Sequence, residues 1–137
     1  MDYEILDHTA DVCVRVYGKS LDEILRNAAY AMMELITERE RVKPSEEIEI
    51  EAEGETDEDI LVHWLQEILF VHQVKKMVFH DFEIEAVSKA KVKGKAFGEK
   101  INLKKHELTS DIKAVTYHNL RIESLENGLK VDIVFDI

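Results

Sequence analysis

Glu126-Asn127-Gly128-Leu129-Lys130-Val131-Asp132-Ile133-Val134-Phe135-Asp136-Ile137 closes the chain and decides how the rest of it is read. Leu129, Val131, Ile133 and Phe135 recur at every second residue, with Asp132, Val134 and Asp136 between them. That is the period of a strand with one buried face. Asn127-Gly128 tolerates the positive φ angles of a tight hairpin, so the preceding strand should run antiparallel to this one. The strand continues into the last residue, which sets the Asp136 carboxylate beside the α-carboxylate of Ile137. Oxygen donors of this kind suit a hard divalent cation.

Working outward, the same alternation appears near the start from Asp11 to Tyr17. Val12, Val14 and Val16 fall on one face, and Asp11, Cys13, Arg15 and Tyr17 on the other. The acidic segment Asp7-His8-Thr9-Ala10 leads into it. Should the first and last strands be neighbours, Asp11 and Asp136 would meet from opposite ends of the chain. Cys13, the only cysteine, cannot form an intrachain disulfide and reads as a small core residue.

Between these strands the period lengthens twice. Ser20-Leu21-Asp22-Glu23 has the form of a capping box, and Leu21, Ile24, Leu25, Ala28, Met32, Leu35 and Ile36 follow at helical spacing to about Thr37. Glu47 to Glu53 alternates strictly, a strand with one acidic face. Thr56 then caps a second helix with an acidic first turn, and Ile60, Leu61, Trp64, Leu65, Ile68 and Leu69 form its buried stripe. Strands follow around Phe82–Ala86, from Ala90 to Ala96, and from Asp111 to about Glu123. This order predicts an α+β fold. A single domain spans 1–137, with a mainly antiparallel sheet and two helices packed on one face.

Composition narrows the function. The 137 residues carry a formal net charge of −11. Residues 1–60 hold 18 acidic against 6 basic side chains, and residues 61–137 hold 11 against 12. Such an excess repels a phosphate backbone, which argues against direct binding of DNA or RNA over the whole surface. Lys89, Lys91, Lys93, Lys95, Lys100, Lys104 and Lys105 form a local basic stretch, read as a solvated strand face guarding an edge. There is no apolar run long enough to span a membrane, and the acidic start differs from a secretion signal, so a cytoplasmic location is expected.

Catalytic signatures are missing: no phosphate-cradling glycine loop, no cysteine pair, no His-Glu-x-x-His helix, no nucleophile-elbow serine. Three oxygen-rich groups remain, namely Asp7, His8 and Asp11; Asp57 and Asp59; and Asp132, Asp136 and Ile137. Each also has a structural reading, as a turn, a helix-dipole partner or a solvated strand residue. Strand alternation puts Lys113, Val115 and Tyr117 on one face and Ile112, Ala114, Thr116 and His118 on the other.

Four segments in register, His8-Thr9-Ala10-Asp11-Val12, Leu61 to Leu69, Asp111 to His118, and Val134-Phe135-Asp136-Ile137, resemble the archease family. The resemblance implies a protein that is not itself an enzyme, the accessory factor of the GTP-dependent RNA ligase RtcB. It would promote guanylylation of the ligase histidine and multiple turnover in tRNA splicing, meeting RNA only through the ligase. It also implies a divalent metal, calcium in the isolated protein, on Asp11, Asp136 and the carboxylate of Ile137. His8, Asp59, Asp111, Lys113 and His118 are the candidates for acting on the partner. His63 and Asp111 depart from the residues common in such proteins. Two other classes stand beside this reading: a chaperone or modulator of another tRNA-modifying enzyme such as a methyltransferase, and a metal-dependent hydrolase using His8.

Overall fold

The computed structural model describes residues 2–6 and 11–137. Among these residues, eight strands and two long helices follow in the order β1 (Tyr3–Leu6), β2 (Asp11–Gly18), α1 (Leu21–Ile36), β3 (Glu46–Glu53), α2 (Asp57–Lys75), β4 (Met77–Val87), β5 (Lys91–Lys100), β6 (Ala114–Val115), β7 (Glu123–Leu125) and β8 (Gly128–Asp136). The strands form two antiparallel sheets. One has the order β1-β2-β8-β6, with β7 also paired to β8; the other runs β3-β5-β4.

Local chemistry sets the helix ends. Ser20 Oγ accepts the amide of Glu23 at 3.3 Å and Glu23 Oε1 accepts that of Lys19 at 3.2 Å, so two amides at the start of α1 are satisfied reciprocally. Thr56 Oγ1 accepts the Asp59 amide at 3.1 Å, and α2 stops where Lys76 takes a left-handed φ of 53°. α1 packs on β2 and β4, whereas α2 packs on β3, β5 and β6, so both helices touch both sheets. Trp64 Nε1 donates to the carbonyl of Leu25 at 3.0 Å and ties the helices together inside the core.

Val14 and Val16 of β2 and Val131, Ile133 and Phe135 of β8 bury their side chains in one cluster with α1 and α2. Each such side chain contributes on the order of 1.5–3 kcal/mol. Cys13 is buried as expected, yet it stands outside that cluster, opposite Val134 in the ladder. The rest of that outer face, Asp11, Arg15 and Tyr17, is half-buried.

Three expectations need correction. The expected strand from Asp111 to Glu123 is interrupted: only Ala114–Val115 and Glu123–Leu125 are strand. Asn119 adopts a φ of 51° and the Leu120 amide donates to Tyr117 O at 3.0 Å, so the chain turns there. The final hairpin forms, but its two loop residues are Glu126 and Asn127, because Leu125 pairs with Gly128. Gly128 has φ 149° and a Cβ there would lie 2.6 Å from Gly18 O, which is why glycine begins β8. The lysine-rich strand is not an edge. β5 lies in the middle of its sheet, with Lys91, Lys93 and Lys95 opposite Glu53, Glu51 and Glu49. β1 carried no sequence signal of its own, since four residues are too few for a period to emerge.

Candidate functional site

β2 and β8 pair antiparallel over their whole length, Asp11 opposite Asp136, Val12 opposite Phe135, and onward to Gly18 opposite Leu129. The register follows from burial. Valines 14 and 16 and residues 131, 133 and 135 have to share one face, and a slip of one residue would expose them all. The same register sets two carboxylates against each other at the end of the sheet. Asp136 is exposed, Asp11 is half-buried, and Asp11 Oδ1 is closed off from solvent.

β6 completes this end. Ala114 lies opposite Asp136, the Lys113 amide donates to Asp136 O at 2.7 Å, and the Thr116 amide and hydroxyl both donate to Val134 O at 3.0 Å. Asp136 is thus held between two strands by its backbone while its side chain stays accessible.

Like charges directly opposite across an antiparallel pair are destabilising. A cation shared between them removes that cost, and carboxylate oxygen is the donor that hard divalent cations prefer. Among the described residues no group of three His, Cys, Asp or Glu side chains is assembled for a metal. Among the described residues the side chains at this end offer two carboxylates, with Ile137 adjoining Asp136. The donor set fits a hard cation and is unsuited to a soft one.

The comparisons with known proteins bear on this geometry. The model described as "Archease protein family (MTH1598/TM1083)" matches residues 3–137. The chain belongs to the archease family. A relative named "Protein archease" from Methanopyrus kandleri is 39% identical over 140 residues, covering 100% of both chains. Its namesake from Pyrococcus abyssi is 42% identical over 129 residues, covering 92% of this chain and 91% of its own. The solution structure of Methanobacterium thermoautotrophicum protein 1598 superposes with a TM-score of 0.82 at 32% identity, covering 99% of both chains. A Thermotoga maritima protein described as "an archease, possible chaperone" gives a TM-score of 0.66 at 25% identity, covering 96% of this chain and 94% of its own.

In this archease fold the other candidate residues divide. His8 and Asp7 lie outside the described residues. Asp132, grouped by sequence with Asp136, belongs elsewhere: Arg15 Nε and Nη2 donate to its two oxygens at 2.7 and 3.0 Å. Those bonds hold the Asp132 carboxyl below its ordinary range and clamp the ladder from the outer face. Asp111 and Lys113 are exposed on either side of buried Ile112. His118 is exposed, its amide donating to Thr116 Oγ1 at 3.3 Å. Alternation fails here because Ile112 and Val115, three apart, are the two residues that turn inward.

Asp59 sits at the start of α2, where its Oδ2 accepts the Glu55 amide at 3.2 Å. Burial, followed by the nearby Asp59 carboxylate, raises the Tyr117 phenol above its ordinary range. Tyr117 Oη is 3.1 Å from His63 Nε2, and His63 Nδ1 contacts the carbonyl of Glu53. A carbonyl only accepts, so Nδ1 is the donor in that contact. Sequence reading did not find this Asp59–Tyr117–His63 group, because Tyr117 lies 54 residues from His63 and neither has a distinguishing motif. Among the described residues, no helix is long and apolar enough to cross a membrane.

Proposed function

We propose that this chain is a non-catalytic accessory factor of the RNA ligase RtcB, promoting guanylylation of the ligase and multiple turnover in tRNA splicing. Asp11, Asp136 and the carboxylate of Ile137 would hold a divalent cation, calcium in the isolated protein. The observation that carries this reading is the direct opposition of Asp11 and Asp136 in a member of the archease family.

The residues act by position. Arg15 and Asp132 lock the β2–β8 register, and the amide of Lys113 anchors Asp136 from the other side, so the backbone that carries the two carboxylates is fixed in advance. A bound cation would supply charge neutralisation at this tip and a point of attachment for oxygen ligands of the partner. Asp59, Asp111, Lys113 and His118 lie on α2 and the segment beside β8 and would contact the ligase around it. The acidic first half complements a basic RNA cleft.

The test is RNA ligation by the cognate RtcB under multiple-turnover conditions, with and without the chain. The intact chain should raise turnover and Asp136→Ala should not, with its circular dichroism unchanged. Equal stimulation by both would refute the assignment. The second reading, a chaperone or modulator of another tRNA-modifying enzyme such as a methyltransferase, draws on the words "possible chaperone" applied to the Thermotoga maritima relative. It predicts protection of such an enzyme from aggregation and no effect on ligation.

A further inference from the structure

α2 is buried along most of its girth, and the narrow strip left outside the core carries His63, Gln66, Glu67, Phe70 and Val74. Phe70 is 56% and Val74 60% exposed, one helical turn apart. His63, Gln66, Glu67 and Phe70 floor a groove of about 650 Å³ walled by Glu51 to Glu53 of β3, with Lys91 at its rim, and Val74 lies one helical turn beyond it. β3 pairs only with β5 among the described residues, so its other edge is open.

The two faces of β3 are chemically distinct. Ile48, Ile50 and Ala52 turn to the core, and Glu47, Glu49, Glu51 and Glu53 turn to solvent. On the occupied edge this glutamate row already meets a lysine row. Lys95, Lys93 and Lys91 stand opposite Glu49, Glu51 and Glu53, with ion pairs from Lys95 to Glu47 at 3.2 Å and Lys91 to Glu51 at 3.8 Å. Side chains of a strand flank both of its neighbours, so whatever adds at the open edge meets the same glutamates. A second copy of β3 would set glutamate against glutamate, which disfavours self-pairing. A strand with basic residues at alternate positions would meet the row favourably. Its intervening residues would then project toward α2, where Phe70 and Val74 lie.

We propose that the open edge of β3, with Phe70 and Val74, captures an extended protein segment in which lysines or arginines alternate with apolar residues. Binding is by strand addition, main-chain bonds supplying affinity and the glutamate row supplying selectivity. The groove borders the Asp11–Asp136 end through Gln66, whose Nε2 donates to Val115 O at 3.5 Å on β6, but the proposal does not depend on the function proposed above.

The probe is the synthetic peptide Lys-Val-Lys-Val-Lys-Val-Lys, titrated into the isotope-labelled chain and followed by amide shifts. Saturable shifts should map to Glu47–Glu53 and His63–Val74, and the Glu-Val counterpart should give none. Phe70→Ala, at a half-exposed position, should keep its melting profile and bind about tenfold more weakly, near 1.4 kcal/mol. Of two peptides N-methylated at alternate residues, the one blocked on the side facing β3 should lose binding. Shifts elsewhere, equal affinity of Phe70→Ala, full binding by both methylated peptides, or no saturation at millimolar peptide would each overturn the proposal.

Discussion

Replacing Asp136 with Asn should invert a stability ranking when calcium is added. The substitution removes one of two charges that the β2–β8 register sets face to face, and leaves the backbone bond from Lys113 intact. Opposed side chains on antiparallel strands stand about 5 Å apart. Two unit charges at that distance repel by about 0.8 kcal/mol in water and about 3 kcal/mol at an effective dielectric near 20. Asp136 is exposed, so the lower end applies, and without divalent cations the Asn variant should be the more stable by about 1 kcal/mol. With calcium at about a hundred times its dissociation constant, the unmodified chain gains about 2.7 kcal/mol and the variant much less. Urea denaturation at low ionic strength, which leaves the repulsion unscreened, followed by the fluorescence of Trp64, which is buried between the helices, reads both arms. The unmodified chain should unfold first in chelator and last in calcium. A variant weaker than its parent in chelator, together with a calcium-insensitive parent, would refute both the repulsion and the cation reading.

Three further outcomes are expected. Burial pushes the Glu99 carboxyl up, but hydrogen bonds from Lys105 Nζ, the Lys43 amide and His106 Nε2 at 2.6, 2.8 and 3.0 Å outweigh it and hold the group at about 2. A depressed carboxylate stabilises above its unfolded value of 4.5 and loses that contribution as pH falls toward 2. After solvent screening this is about 1 kcal/mol, so Glu99→Gln should flatten the fall in denaturation midpoint between neutral and acid pH; an unchanged slope counts against the network. Gly94→Ala would put a Cβ 2.4 Å from Glu83 O and 2.8 Å from the Trp64 ring; it should cost about 1–3 kcal/mol in denaturant, and a neutral result would mean that β5 can move away from α2. Adding Gly-Gly after Ile137 should leave the melt unchanged, because Ile137 is exposed, and weaken calcium binding by about tenfold in calorimetry; equal affinity would remove the Ile137 carboxylate from the site.

Much of this molecule was readable before any coordinates. The helix caps at Ser20 and Thr56, the inward valines of β2 and the alternation of β8 are local patterns, and each formed where its residues indicated. Segments whose partners lie far away in sequence were harder. Asp111 to Glu123 alternates like a strand, yet its amides at 113 and 116 bond to β8, Thr116 Oγ1 takes part as well, and Asn119 turns the chain. Nothing local to those residues announces such bonds. The lysines of β5 likewise looked like edge guards until the glutamates of β3 and β4 took their places on either side.

The sequence alone determined the periods, the caps and the kinds of donor available, because these depend on residues a few positions apart. Tertiary structure decided which residues meet. It split the strands into two sheets, committed Asp132 to Arg15 and not to Asp136, joined Tyr117 to His63, and left β3 with a free edge beside Phe70. The meeting of Asp11 and Asp136 needed both: alternation permits the register, and the shared burial of β2 and β8 against α1 and α2 selects it.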